Sequence, residues 1–341
     1  MKDELYFTVS LGWTANASGK RQKAVFESLF KEAGVARYDF ADANYDAKKQ
    51  SVQIEEFIAK KPDALFITPS DPAGIATAVK QANIFGIPVF SSDGLIPGAE
   101  AVSTVMFDNY ASGCFTMRHL GDLLLKKYPS GDIGIGMITL PMNEGWDARE
   151  HGARFILSQK KYERIKVKYE WPWDPTGTVT TATTVESWLG ADTRKELKAI
   201  WCAWDGAVFD GLAVTAAYRP DIIYTGSDGG EDAYNKMLQY PDQFVMTVGE
   251  SVFAMPSQLT NYALAWLKKK RVPRLVMVPG YAITAGMVLD VHSIKNKTET
   301  VCGGIRTAWQ LMLDYDLPDY TDALNTVLSA NGLEPAWVPE I

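Results

Sequence analysis

The chain has 341 residues, 47% of them hydrophobic and 22% charged, enough to bury a substantial core and to form two domains. Its formal net charge is −7, with Lys and Arg scattered instead of gathered into a stripe, which removes the electrostatic footprint of a nucleic-acid partner. No run approaches the roughly 18 consecutive apolar residues of a membrane-crossing helix.

The start, Met1-Lys2-Asp3-Glu4, leads straight into a strand-like run with no signal-peptide pattern. A secreted chain whose leader has been replaced by a start Met is expected to begin this way. A short apolar strand followed by a helical period then repeats along the chain. Strands are predicted at Tyr6–Leu11, Val35–Ala41, Ala64–Thr68, Pro88–Ser91, Ile133–Ile138, Ile165–Glu170, Ala199–Ala203, Ile222–Gly226 and Phe244–Val248. Between them Ala47–Lys60, Pro72–Phe85, Tyr110–Lys127 and Ala207–Tyr218 recur apolar at helical spacing. Asp71-Pro72 supplies a capping acid and a first-turn proline, and Gly86-Ile87-Pro88 closes that helix before the next strand.

This alternation predicts an α/β protein with parallel sheets. A strand ending near Asp108 completes the first set, and a second set begins at Asp132. Past residue 290 the pattern decays, leaving one helical stretch at Ile305–Asp314 and an acidic tail. Cys114, Cys202 and Cys302 stand far apart with no Cys-x-x-Cys pair, which reads as buried thiols, or one disulfide with a thiol left over, and not as a metal site.

In open α/β sheets ligands bind beyond the carboxyl ends of the strands. The residues there are polar and aromatic: Trp13 and Asn16 after the first strand, Asp93 after the fourth, and Arg149 and His151 in the segment that follows Ile133–Ile138. Beyond these come Trp173, then Trp204-Asp205, then Asp228, then Glu250. A carboxylate accepts two neighbouring hydroxyls, an amide donates and accepts, and an indole face covers the C–H side of a sugar. Taken singly, Asp205 before Gly206 reads equally as a helix cap and Asp228 before Gly229-Gly230 as a turn. The conjunction over five strand ends is what points to a binding site.

On Lys61-Pro62-Asp63-Ala64-Leu65-Phe66-Ile67-Thr68-Pro69-Ser70-Asp71, Gly86-Ile87-Pro88-Val89 with Asp93 following, Phe107-Asp108-Asn109 and Thr225-Gly226-Ser227-Asp228-Gly229, the chain resembles the type I periplasmic sugar-binding family over Leu5 to Leu289. The resemblance implies two Rossmann-like lobes joined by a three-segment hinge, residues 1–108 with 251–284 and residues 109–250 with 285–341. Chain crossings are expected near Asp108, Glu250 and Ala282–Ala285. It implies a periplasmic, monomeric solute-binding protein with no cofactor and no enzymatic activity, which closes around a sugar or polyol and delivers it to an ABC transporter permease.

Residue by residue, the resemblance puts Asp93, Asp205 and Asp228 at acid positions that meet sugar, Trp13 and Trp173 at stacking positions, and Glu250 where an amide is usual. Gly94 stands where the family often has an Arg. Arg149 and His151 compete for one donor position, with Lys20 a further counter-charge. The acidic balance leaves a cationic amine ligand as the alternative. A glycosidase using Asp205 and Asp228 is a weaker one, because no nucleophile elbow, metal-binding histidine pair or phosphate loop is present.

Overall fold

The computed structural model describes residues 4–15, 17–141, 144–173, 178–250, 254–278, 280–286 and 288. They divide into two compact units, one formed within 1–107 and 251–278 and the other within 108–250 and from 279 onward.

The first unit runs β1 (Tyr6–Leu11), α1 (Ala17–Glu32), β2 (Arg37–Asp42), α2 (Ala47–Ala59), β3 (Ala64–Thr68), α3 (Pro72–Ile84), β4 (Val89–Ser92) and β5 (Ser103–Phe107). The second contributes α4 (Asn109–Lys127), β6 (Ile133–Thr139), α5 (Glu144–Leu157), β7 (Ile165–Pro172), α6 (Thr181–Ala191), β8 (Leu197–Cys202), α7 (Asp205–Tyr218), β9 (Ile223–Asp228), α8 (Glu231–Gln239) and β10 (Phe244–Gly249). The chain then returns α9 (Ala254–Leu267) and β11 (Leu275–Val278) to the first unit and β12 (Tyr281–Thr284) to the second.

The sheets are ordered β11-β5-β4-β3-β1-β2 and β12-β10-β9-β8-β6-β7. Every described pairing is parallel except β10 with β12, which is antiparallel. Each sheet reverses its winding once, between β1 and β3 and between β6 and β8, and the carboxyl ends at such a switch point form a ready-made crevice.

Local sequence accounts for these elements. Asp46 caps α2 by accepting from the N–H groups of Lys48 (2.8 Å) and Lys49 (3.1 Å). Ile54, Phe57 and Ile58 follow on its buried face. Asp71 and Pro72 start α3, which buries Ile75, Ala78, Val79 and Ala82 at helical spacing. On the other face of the first sheet Phe7 meets Phe30 at 5.2 Å and Phe66 at 5.4 Å, and Phe66 meets Phe90 at 5.5 Å between centroids, a core of offset and edge-on rings. In β6, a Cβ on Gly136 would come within 2.6 Å of the Trp188 ring. That glycine therefore lets α6 lie flat on the sheet and has no part in a nucleotide loop.

Several expectations need correction. β11 and β12 are strands the sequence pattern did not single out. Tyr281–Thr284, assigned above with 251–284, pairs with Met246–Gly249 of β10, so the chain changes unit after Val278 and not at Ala282–Ala285. The sequence breaker Pro279-Gly280 separates the two short strands. α7 begins at Asp205, two residues earlier than its apolar period. Cys114 and Cys202 are free, buried thiols. Cys302, Ile305–Asp314 and the tail lie outside the described residues, among which no helix is long and apolar enough to cross a membrane.

The first residue of the second unit, Asp108, caps α4, its Oδ1 accepting from the Ala111 N–H at 2.9 Å. It is 2% exposed, and among the described residues its Oδ2 has no hydrogen-bond partner. Burial raises its pKa from the usual 3.8 to about 6, against the pull of the Ala111 N–H. Above pH 6 Asp108 is ionised in folded and unfolded chains alike, and its buried charge costs the folded state. That cost disappears as pH falls from 6 towards 3.8, where only the folded state binds the proton. Asp108→Asn keeps the capping oxygen and is expected to stabilise the protein by about 1–2 kcal/mol near pH 7. In urea unfolding from pH 4 to 8, it should also remove the part of the pH dependence that lies between 4 and 6.

Candidate functional site

In the first unit Gly12, Trp13 and Thr14 follow β1. A Cβ on Gly12 would press on the backbone of Thr68 and Ser70 at 2.8–3.0 Å, and one on Gly19 would strike the Trp13 carbonyl. Two glycines thus let the Trp13 backbone sit between β3 and the first turn of α1. The end of β3 is pinned from below by Gln50, wholly buried. Its Nε2 donates to Thr68 O at 2.9 Å, and its Oε1 accepts from the N–H and hydroxyl of Ser70, both at 2.8 Å.

Asp93 follows β4 and is 8% exposed. Its N–H is bonded to Val105 O at 2.9 Å, and its φ of 56° lies in the left-handed region. Gly94 packs on Pro69 and Pro72, so the position where the family often has an Arg is turned onto two proline rings. Asn16 lies outside the described residues.

In the second unit the arrangement centres on Arg149. α5 lies against α4 because Gly113 abuts the Arg149 carbonyl and Gly152 the Tyr110 carbonyl, at positions where any Cβ would collide. This contact carries Arg149 to the start of α4. It is 2% exposed, and its guanidinium is spent inward: Nε donates to Asn109 Oδ1 at 2.7 Å, and Nη1 donates to Ala203 O and to Asp228 Oδ1, both at 2.8 Å. The Asp228 side chain is 38% exposed against 3% for its partner, so the carboxylate reaches outward from a buried anchor. Its φ is 110°, and Gly229 and Gly230 continue at positive φ.

Asp205 opens α7 and is 3% exposed. Thr247 Oγ1 donates to its carboxylate at 2.8 and 2.9 Å, and the Gly229 N–H donates at 2.7 Å. Burial and then the charge of Asp228 push its pKa well up, against Thr247, Gly229 and Arg149. Asp228 is also raised by burial, with Arg149 pulling it back. Arg149 thus holds the Asp228 carboxylate, while Asp205 holds the backbone one residue on, at Gly229.

His151 is on an exposed part of α5, 64% exposed, with Nε2 3.6 Å from Asp147. Trp173 is half-buried just past β7 and meets Trp204, past β8, at 5.3 Å and 59°. Trp146 is buried. Glu250 is half-buried after β10, its N–H bonded to Asp228 O at 2.9 Å. Asn109 and Thr247 were missing from the predicted strand-end residues, whereas Trp204 stood among them as a large aromatic beside a strand-end acid.

Among the described residues seven non-glycine residues have positive φ: Asn44, Tyr45, Lys61, Asp93, Lys195, Asp228 and Lys269. Lys61 and Lys269 follow helices, where a left-handed residue ends the last turn, and Lys195 closes the turn between α6 and β8, its N–H bonded to Asp192 O at 2.9 Å. The other four stand at strand carboxyl ends, each costing on the order of 1–2 kcal/mol, and two of them, Asp93 and Asp228, are among the four predicted ligand acids.

Residues 7–271 match the family model described as a periplasmic binding protein domain. The chain belongs to that family. It is 28% identical over 279 residues to the ribose import binding protein of Bacillus subtilis (strain 168), spanning 82% of this chain and 87% of that protein. To the ribose import binding protein of Escherichia coli (strain K12) it is 27% identical over 226 residues, 62% and 73% of the two chains. Among solved structures, the fold matches an ABC transporter solute-binding protein from Mycobacterium smegmatis with bound glycerol, at a TM-score of 0.74 and 22% identity over 84% of this chain and 96% of that one. It also matches one from Bacillus halodurans C-125 with bound myo-inositol, at 0.73 and 19% over 86% and 99%. As a periplasmic binding protein the chain places its acids and indoles at the strand ends of both sheets.

Removing the guanidinium would leave Asn109, Ala203 O and Asp228 without their donor. Arg149→Met is therefore expected to cost about 3–5 kcal/mol in urea unfolding, with Asp228→Asn in the same chain recovering part of the loss. Arg149→Lys should fail to rescue it, since an ammonium cannot reproduce the planar fork.

Proposed function

We propose that this protein is the extracytoplasmic solute-binding component of an ABC importer, and that its two units close on one small, neutral, polyhydroxylated ligand, a sugar or polyol. The observation that carries the reading is that each unit sets indoles and an acid at its strand ends: Trp13 and the buried Asp93 in one, and Trp173, Trp204 and the partly exposed Asp228 in the other. Such sets accept hydroxyls on one side of a ring and cover C–H groups on the other. The ligands named for its relatives, ribose, glycerol and myo-inositol, are of this class. A membrane permease is the partner that follows, the periplasm the compartment, and a monomer the state. Residues 1–107 with 254–278, and 108–250 with 280–288, are the lobes of this reading, hinged at the crossings near Asp108, Glu250 and Val278.

The charge arrangement favours a neutral ligand over a cationic amine. Asp228 already holds a buried guanidinium at 2.8 Å, so an ammonium would have to compete with Arg149 for that carboxylate. The same tethering argues against a glycosidase, because Asp205 is held by Thr247 and Gly229 instead of facing a substrate.

A thermal-shift series with D-ribose, D-allose, myo-inositol, allitol, glycerol, putrescine and choline decides the class, because a ligand that binds only the folded state raises its apparent stability. A shift with a sugar or polyol that changes little between low and high salt is expected; a shift with an amine alone, weakened by salt, would replace the reading. Trp173→Ala is expected to lower affinity for the responding polyol by about 1–3 kcal/mol in calorimetry, with the unfolding midpoint unchanged.

A further inference from the structure

Tyr45 lies on the loop between β2 and α2, and no feature of the sequence marks it as part of the site. It is 42% exposed, and its ring is stacked on Trp13 at 5.5 Å between centroids with the planes 3° apart. The backbone is arranged to put it there. Parallel register sets Leu11 beside Asp42, the Ala43 N–H is bonded to Leu11 O, and the Tyr45 N–H is bonded to Gly12 O, both at 2.8 Å. Asp42 ties the loop back on both sides, accepting from the Asn44 N–H at 2.8 Å and from the Thr14 hydroxyl.

The chain turns through two consecutive left-handed residues, Asn44 at 54° and Tyr45 at 63°. A tyrosine takes that conformation at a cost an ordinary turn avoids by using glycine, so the loop holds this ring in place against a local preference. Asp46 then fixes the next step by capping α2.

We propose that Tyr45 is a positioning residue of the binding site, which fixes the plane of the Trp13 indole by covering one of its faces, so that ligand meets only the face turned away from Tyr45. The proposal rests on the reading of Trp13 as a ligand-stacking residue. Its consequence is selectivity. An indole held flat presents a rigid surface suited to the C–H face of a cyclic polyol, whereas an open-chain polyol of the same hydroxyl count has no such face to match. Because Tyr45 acts through Trp13, its contribution should exist only while Trp13 is present.

The test combines a ligand-independent and a ligand-dependent measurement on the full chain. With 5-fluorotryptophan incorporated and the Trp13 resonance assigned from Trp13→Phe, Tyr45→Ala should shift or broaden that resonance and leave the other assigned indoles in place, while Tyr45→Phe should restore it. An unmoved Trp13 signal in Tyr45→Ala overturns the proposal, whatever the protein binds. Affinities for myo-inositol and allitol, a cyclic and an open-chain polyol, form the second arm. Tyr45→Ala should weaken myo-inositol roughly two- to tenfold and allitol less. Tyr45→Phe should recover the loss, and in a Trp13→Ala background Tyr45→Ala should add nothing. Equal losses for both polyols, or an undiminished effect without Trp13, would overturn it. If neither polyol nor any other sugar binds the unaltered protein, the proposed function fails, and the fluorine spectra still decide whether Tyr45 positions Trp13.

Discussion

The buried guanidinium of Arg149 is the contact on which the carboxyl end of the second unit's sheet depends. It joins the start of α4 through Asn109, the end of β8 through Ala203 O and the end of β9 through Asp228. No single neutral side chain could supply three donors in that fixed plane. The guanidinium reaches this point only because two glycines let α4 and α5 touch backbone to backbone. A charge this deep is tolerable because its donors meet a carboxylate and two further acceptors. The exposed Asp228 carboxylate is thus the outer end of a rigid post whose lower part never meets solvent.

The first unit holds the end of its third strand with an amide. Its winding reverses at the same place in the strand order, and its switch point is fixed by that amide, Gln50, which uses both its ends on β1 and β3. Backbone strain replaces part of what Arg149 does elsewhere: Asn44, Tyr45 and Asp93 are all left-handed beside the ends of β2 and β4. Conformations of this kind persist only where the surroundings over-determine them, and here the determinants are β1's register with β2 and the hydrogen bonds of Asp42.

Much of this fold was legible because its signals are long. Nine strands and four helices came from runs whose burial period persists over several residues, with caps such as Asp71-Pro72 marking the joints. β11 and β12 escaped because each has four residues, only half of them or fewer fully buried. α6 escaped because its start is threonine-rich; its helical state is set by a capping box between Thr180 and Thr183 that composition does not reveal.

For the site, strand ends told where to look but not which way each side chain turns. Arg149 and His151 are about 200° apart around a helix, so the motif that admits both sends one inward and the other to solvent. Tyr45 was hidden for a different reason: its placement needs the β1–β2 register and two left-handed residues, of which only Asn44 is a type that adopts them readily.

The order of strands also separates the sequence in which this protein is made from the sequence in which it can be finished. β5 pairs with β11 through Thr104 and Leu275, and α9 packs on β4 and β5. The whole of Asp108–Glu250 emerges from the ribosome between these partners. Until then β5 is an edge whose hydrogen-bonding groups have no strand to meet, and such an edge invites pairing with other chains. The nascent amino-terminal half must therefore wait, partly assembled, while the uninterrupted segment behind it acquires nearly all of its own sheet. The half that is translated first is completed only after nearly all of the other has been made, and a chain that stops short of Leu275 leaves it permanently open.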